Sequence, residues 1–180
     1  KEAFNIDGLG KKVIDKFWDI KLIREPAQIF NLNYEKIKSL EGWGELSINN
    51  LKTAIKNSQT INLDKFIFSI GIRHIGQENA KILAGFFGSI KEFSKLFDFK
   101  NRKKLLANLA ELDGIGDTQI ESINNFFSNS INLKITQNLI DKLNIKDFLI
   151  QNSSGKFSNM KLMFTGGFQN MSRSEAKSIA

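Results

Sequence analysis

The composition of this 180-residue chain is that of a folded globular protein, because 41% of its residues are hydrophobic and 25% are charged. Its 26 Lys and Arg residues outnumber its 19 Asp and Glu residues, and the net charge of +7 makes a polyanion the first partner to consider. The sequence has no cysteine, which excludes disulfides, thiol nucleophiles and cysteine-bound zinc within it. It also has no apolar run of about 20 residues, so we expect a cytoplasmic protein without a membrane-spanning helix.

Four short segments align without gaps and recur roughly every 30 to 40 residues. Each has the order apolar, any residue, glycine, apolar, glycine, except that the third has histidine at the first glycine position. We call them hairpins 1 to 4, and they lie at residues 6–10, 40–44, 72–76 and 112–116. Their last three residues are Gly8-Leu9-Gly10, Gly42-Trp43-Gly44, His74-Ile75-Gly76 and Gly114-Ile115-Gly116.

Apolar residues also recur after each hairpin. The positions four and seven residues beyond the last glycine are Ile14 and Phe17, Ile48 and Leu51, Ala80 and Leu83, and Ile120 and Ile123. Because a spacing of three places both residues on one face of a helix, each repeat is predicted to be a helix, a tight hairpin and a second helix. The sequence therefore predicts a mainly α fold of four units, and no segment between residues 4 and 145 alternates long enough to predict a sheet.

The two glycine positions of the hairpin pattern have different predicted roles. The first takes the positive φ that ends a helix, and the second leaves space for close approach of a partner. The apolar residue between them is predicted to pin the hairpin to the body of its unit. Between hairpins, Pro26 is placed to open a helix, and Ser89 and Glu92 form a capping box.

This pattern resembles the helix-hairpin-helix motif of DNA repair proteins. Two motifs pack as a pseudo-twofold pair in that family, so the resemblance implies two pairs within residues 4–145, units one with two and three with four. The family binds the duplex backbone across the minor groove, sometimes through a monovalent cation. The resemblance therefore implies duplex DNA binding without sequence specificity, since phosphate contacts read no bases.

The predicted DNA-binding residues are the last three of every hairpin together with the cations Lys11, Lys12 and Arg73. A hairpin that leads into a helix presents unpaired backbone N–H groups at the positive end of the helix dipole, where a phosphate binds. If each hairpin neutralises about one phosphate, log affinity falls against log salt with a slope of about −4. Hairpin 1 is the strongest predicted site. Hairpins 2 and 4 are weaker predicted sites, with a structural role as the alternative, because Glu45 and Asp117 follow them.

Several residues have both a functional and a structural interpretation. His74 either faces a phosphate or only occupies a turn position, and the turn is favoured. Trp43 either touches DNA or packs inward. No metal site is predicted, because the sequence has a single histidine and no cysteine. A run of basic residues forms either a solvated helix face or an extension of the phosphate track; it contains Lys100, Arg102, Lys103 and Lys104.

The repeat ends before the last part of the chain. Residues 146–158 are predicted to be a linker, followed by a strand at 161–165, a glycine turn and a helix opened by the capping box at 172–175. Residues 159–180 resemble the N-terminal part of a BRCT domain, an α/β fold. The lysine that completes a phosphopeptide site in that family belongs to a later helix, so phosphopeptide binding is not implied here.

Four helix-hairpin-helix units followed by a BRCT start resemble the C-terminal region of bacterial NAD-dependent DNA ligases. The sequence of residues 4–10 is similar to the segment just after the four-cysteine zinc finger of those enzymes, and the sequence of residues 68–76 is similar to their third hairpin. Residues 1–3 then correspond to the tail of the segment that follows the zinc finger. The family seals nicks with 5′-phosphate and 3′-hydroxyl ends in DNA replication and in the repair of DNA damage. It uses NAD, magnesium and zinc.

The catalytic lysine of that family stands in a Lys-x-Asp-Gly context, which no lysine of this chain has. The resemblance therefore implies no catalytic residue and no bound cofactor in this chain, which is expected to be inactive alone and monomeric. Two alternatives remain open. One is a non-catalytic helix-hairpin-helix module of another repair factor, and the other is a protein-interaction scaffold.

Overall fold

The computed structural model describes residues 3–149. The predicted BRCT start and most of the predicted linker lie outside the described residues. The described part is mainly helical, as the repeat predicts. Its α-helices are α1 (Lys11–Asp19), α2 (Tyr34–Lys38), α3 (Glu45–Ser58), α4 (Leu63–Ser69), α5 (Gln77–Phe87), α6 (Ile90–Phe93), α7 (Phe99–Leu109), α8 (Asp117–Ser128) and α9 (Ser130–Ile140). The remaining elements are 3₁₀ helices at Pro26–Asn31 and Ser94–Phe97 and the strands β1 (Thr60–Asn62) and β2 (Asn144–Lys146).

Units two to four have a helix on each side of the hairpin. Hairpin 2 lies between α2 and α3, hairpin 3 between α4 and α5, and hairpin 4 between α7 and α8. Hairpin 1 is followed by α1, but no helix precedes it within residues 3–149. The predicted order of helix, hairpin and helix is therefore confirmed for three units, and unit one shows its hairpin and second helix.

The four units share two buried cores. Phe17 of unit one packs with Ile48 and Leu51 of unit two in one core. The other core contains Leu83 of unit three and Ile123 of unit four. The units therefore pack as predicted, one with two as the first pair and three with four as the second pair. Burial of each such side chain stabilises the fold by about 1.5–3 kcal/mol.

Two helices between the hairpins begin at the residues that the sequence predicts. Pro26 opens a helix, although the helix is of the 3₁₀ type and not an α-helix. The hydroxyl of Ser89 accepts a hydrogen bond from the backbone N–H of Glu92 at 3.3 Å and so caps α6. A local side-chain cap fixes the start of a helix regardless of what the helix packs against, which explains why the sequence predicts it.

A parallel pair of strands is the element that the sequence does not predict. β1, between units two and three, pairs with β2, which follows α9; Ile61 lies opposite Ile145. Strands of three residues are too short to show alternation, and their pairing joins distant parts of the chain. The strand β2 crosses the predicted boundary at residue 145, and the N–H of Phe148 donates to the carbonyl of Gly88 at 2.7 Å. The chain therefore stays packed on the helical part through Phe148.

Candidate nucleic-acid interface

The four hairpins adopt the same turn. In each, the N–H of the central apolar residue donates to the carbonyl oxygen three residues earlier, at N–O distances of 3.1 to 3.2 Å. The residue before it has a positive φ, which is typical of a type II turn and favours glycine. The φ values are +80° at Gly8, +85° at Gly42, +61° at His74 and +89° at Gly114. The predicted positive φ is thus confirmed in every hairpin, and His74 holds the turn position that glycine holds elsewhere.

The second glycine of each hairpin begins a helix. Gly10, Gly44, Gly76 and Gly116 have extended backbones and are the N-caps of α1, α3, α5 and α8. Their carbonyl groups accept the first helical hydrogen bonds from Ile14, Ile48, Ala80 and Ile120, the predicted apolar positions. The N–H groups of Val13 and Gln119 also donate to the carbonyl groups of Gly10 and Gly116, at 3.0 Å each. The N–H groups of the first two residues of each helix have no acceptor within the helix and lie at the positive end of its dipole.

Three of these second glycines face open space. A Cβ added at Gly10, Gly44 or Gly76 would meet no atom within 4 Å. A Cβ at Gly116 would lie 3.4 Å from Oε1 of Gln119. Packing inside the protein therefore does not require glycine at the first three positions, whereas close approach of a phosphate to the backbone would.

The central apolar residues pin the hairpins to the cores. The side chains of Leu9, Ile75 and Ile115 are buried, and their N–H groups are used inside the turns. Trp43 is half-buried, with its ring centroid 5.7 Å from that of Phe17. Of the predicted DNA-binding residues, these apolar ones therefore hold the hairpins to the cores, whereas the glycines and the cations Lys11, Lys12 and Arg73 are exposed.

Hairpins 1 and 2 lie side by side but differ in charge. They line one cleft of about 390 Å³, with Gly8 and Gly42 among its walls. Exposed Lys11 and Lys12 follow hairpin 1, and the ammonium of Lys11 lies 3.1 Å from the carboxylate of Asp15.

The acidic residue after hairpin 2 has a lysine partner. The carboxylate of Glu45 lies 3.0 Å from the ammonium of Lys38, and this hydrogen bond, together with the charge of Glu45, raises the pKa of Lys38. Both side chains are exposed, so this pair contributes little to stability. It does, however, place a carboxylate directly after hairpin 2, at the position where an exposed lysine follows hairpin 1.

Hairpin 3 presents basic residues in the turn itself. Arg73 and His74 are exposed, and α5 begins with the neutral residue Gln77. The side-chain amide of Asn79 donates to the carbonyl of His74 at 3.3 Å and so braces the turn. Glu78, the acid of the first turn, lies 3.5 Å from the ammonium of Lys81.

Hairpin 4 is partly closed by its own helix. Oε1 of Gln119 accepts a hydrogen bond from the backbone N–H of Gly116 at 3.1 Å, so one donor of the hairpin is already bound. Asp117 begins α8 and adds a negative charge beside the remaining donors. Gly114 is held against the neighbouring unit, because a Cβ there would lie 2.8 Å from Cδ1 of Ile82.

The basic run on α7 does not act as one surface. Arg102 is buried, and its guanidinium donates to the carbonyl groups of Leu96 at 3.3 Å and Phe127 at 2.5 Å. Lys100, Lys103 and Lys104 remain exposed. Neither interpretation offered for the run holds for Arg102, which ties α7 to the end of α8.

Gln119 and Asn79 shape the hairpins, and the sequence prediction missed both. Each lies three residues after the second glycine of its hairpin, the position from which a side chain reaches back to the start of a helix. The signal was therefore present for Gln119, since Gln at this position is typical of a capping box. The bond made by Asn79 depends on the unusual backbone of His74 and has no such signal.

Two further features bear on the class of protein. Within residues 3–149, no helix is long and apolar enough to cross a membrane. No three His, Asp or Glu side chains of that same part gather as ligands for a metal ion.

Comparison with known proteins identifies both the motif and a set of relatives. A family model described as helix-hairpin-helix motif matches residues 65–136, which contain units three and four. A DNA ligase of Pelagibacter ubique is 49% identical over 179 residues, which cover 99% of this chain and 26% of the relative. DNA ligases of Rickettsia bellii and Neorickettsia sennetsu are 36% and 40% identical, and this chain covers 27% of each.

The chain thus spans about a quarter of the length of the curated relatives that it matches. The similarity runs through both pairs and through residues beyond Leu149, since it covers 99 to 100% of the chain. The chain therefore carries helix-hairpin-helix motifs and is related, over essentially its whole length, to a segment of bacterial DNA ligases.

Proposed function

We propose that this chain binds duplex DNA without sequence preference, and that hairpins 1 and 3 make the phosphate contacts. The observation that carries the proposal is the common geometry of these two hairpins. In both, an extended glycine with open space around it precedes the free N–H groups of a helix, and exposed cations stand beside it. Phosphate is the ligand that such a combination fits best.

Hairpins 2 and 4 have the same backbone but the wrong charge for this role. Glu45 and Asp117 occupy the first helical position after them, where Lys11 and Gln77 stand after hairpins 1 and 3. A carboxylate there repels a phosphate at the short distance where screening by salt is weakest. Each pair then provides one phosphate site and one hairpin whose main task is packing.

We further propose that the chain is a DNA-binding part of an NAD-dependent DNA ligase that seals nicks during replication and repair. The support is its relatedness to proteins named DNA ligase. NAD, magnesium and zinc would then be cofactors of the parent enzyme. The adenylation step would lie in the other three-quarters of the protein, and this chain would hold the duplex near the nick.

Fluorescence anisotropy with two labelled duplexes of unrelated sequence tests the binding proposal. We expect equal affinity for both and, because two hairpins each neutralise about one phosphate, a slope of log affinity against log salt of about −2. This value is smaller than the slope of about −4 expected if all four hairpins contributed. A slope near zero, or no binding at low salt, would overturn the proposal and favour a protein-interaction scaffold.

The ligase assignment has a separate test. The parent sequence should contain four cysteines shortly before Lys1 and a Lys-x-Asp-Gly motif further upstream. A parent without them would make the chain a helix-hairpin-helix module of another repair factor, even if DNA binding is measured. Comparison of nicked with intact duplex then shows whether the segment itself prefers a nick.

A further inference from the structure

The elements that lie outside the repeat meet at the junction between the two pairs. The 3₁₀ helix Pro26–Asn31 connects units one and two, and α9 and β2 follow unit four. The helix α9 packs against this 3₁₀ helix, and β2 pairs with β1. The chain after unit four therefore returns to the first pair. The four-unit repeat by itself does not predict that the chain after unit four contacts the first pair.

A hydrogen-bonded side-chain contact links the two pairs at this junction. The side-chain amide of Asn138, on α9, donates to both carboxylate oxygens of Glu25, at 3.1 and 3.0 Å. The backbone N–H of Glu25 is itself held by Oε1 of Gln28 at 3.3 Å. Both side chains of the contact are half-buried. A hydrogen bond to a charged acceptor is stronger than one between neutral groups, and it is directional.

Besides the backbone hydrogen bonds between β1 and β2, apolar side chains also meet at the junction. Ala27, in the 3₁₀ helix beside Glu25, is buried in the core of the second pair. Phe30 packs against both cores, and its ring centroid lies 5.6 Å from that of Phe4. Apolar contact holds two surfaces together but fixes their mutual orientation less strictly than a hydrogen bond does.

We infer that Glu25 and Asn138 are positioning residues that orient hairpins 1 and 3 toward a single duplex. The inference rests on the proposed function, because the cations Lys11 and Lys12 belong to the first pair and Arg73 to the second. A duplex bound by one pair is presented to the other at high effective concentration only if the geometry allows both to bind. The Glu25–Asn138 contact would then raise affinity for long duplexes without touching DNA.

The test uses variants that break the bond and then restore it with reversed polarity. Asn138→Asp places two carboxylates where the bond was, whereas Glu25→Gln keeps one of the two oxygen acceptors of Asn138 and leaves one hydrogen bond possible. In the double variant, the new amide at position 25 can donate to the new carboxylate at position 138. Asn108→Asp, at an exposed position of α7, controls for the added negative charge. Circular dichroism and thermal unfolding of each variant report whether it is folded.

Binding is compared between two DNA probes. A duplex of about 20 base pairs is about 68 Å long and exceeds the diameter of about 40 Å expected for a domain of this size. A hairpin-capped duplex of about 6 base pairs is about 20 Å long, half that diameter, and is chosen to engage one pair. We expect Asn138→Asp to lower the ratio of long-duplex to short-duplex affinity by about five- to tenfold. Glu25→Gln, the double variant and Asn108→Asp should keep the ratio of the unmodified chain within about twofold.

The outcomes separate this inference from the proposed function. If the unmodified chain binds neither probe, the proposed function fails and the inference fails with it. If it binds both and Asn138→Asp lowers the two affinities equally, the contact is only structural and the inference is wrong. An unchanged ratio in Asn138→Asp, or a double variant that does not recover, also overturns it.

Discussion

Packing within the protein does not require glycine at Gly10, Gly44 or Gly76, the second glycines of hairpins 1 to 3. These three residues are therefore a matched set for testing function. Gly10→Ala and Gly76→Ala should lower duplex affinity by about tenfold each, because the new methyl group keeps a phosphate from the backbone N–H groups. Gly44→Ala should leave affinity within about twofold, since hairpin 2 carries Glu45. Titration of the three variants with one duplex at fixed salt checks this.

Stability serves as the control for that comparison. All three glycines have ordinary extended backbones, so alanine should lower the free energy of unfolding by a similar amount, about 0.5–1 kcal/mol, the cost of a poorer N-cap. Equal loss of DNA affinity in all three variants would show that hairpin 2 also binds phosphate. No loss in any of them would remove the hairpins from the interface.

His74 allows the turn and phosphate interpretations to be separated. Its φ of +61° is tolerated by glycine and strained for a β-branched residue. His74→Gly should therefore unfold at the same temperature or slightly higher, and His74→Val should lose about 2 kcal/mol in the free energy of unfolding. Duplex affinity of His74→Gly should stay within about twofold, because the turn itself is preserved. A loss of about tenfold or more would mean that the imidazole itself contacts a phosphate.

At the scale of elements, Arg102 decides how α7 meets the end of α8. The guanidinium satisfies the carbonyl of Phe127 in the last turn of α8, where such groups lack helical partners, and it also bonds to Leu96. Arg102→Ala should lower the free energy of unfolding by about 2–4 kcal/mol through lost bonds and an internal gap. Chemical denaturation measures this.

Lys104→Ala is the matched control on the same helix. Lys104 is exposed, so its removal should change stability by no more than about 0.5 kcal/mol. If the two variants were equally stable and Arg102→Ala alone lost DNA affinity, Arg102 would belong to a phosphate track after all.

At the scale of the whole molecule, the chain should lack adenylation activity. No lysine stands in a Lys-x-Asp-Gly context, so incubation with NAD and magnesium should leave its mass unchanged. Mass spectrometry detects the addition of AMP, and a full-length DNA ligase treated in the same way is the positive control. An AMP adduct on this chain would contradict the assignment of the chemistry to the rest of the parent enzyme.

The arrangement of the pairs is also a property of the whole molecule. Each pair has its own core, so each is expected to keep its hairpin geometry by local packing. The relation of one pair to the other depends on the junction, where β1 meets β2 and Asn138 meets Glu25. The phosphate sites proposed at hairpins 1 and 3 can act on one duplex only through that relation.

The sequence by itself determined the four hairpins and the mainly α fold, whereas the pairing of the units was implied by the family resemblance. These features are local or repeated: positive φ favours glycine, and the residues seven positions after each hairpin, such as Phe17 and Ile123, are buried as their spacing predicts. Only the tertiary structure decided the roles of Arg102, Gln119 and Asn138 and the pairing of β1 with β2. A charge or an amide acquires its role from the groups that the fold brings to it, and spacing along the chain does not specify those groups.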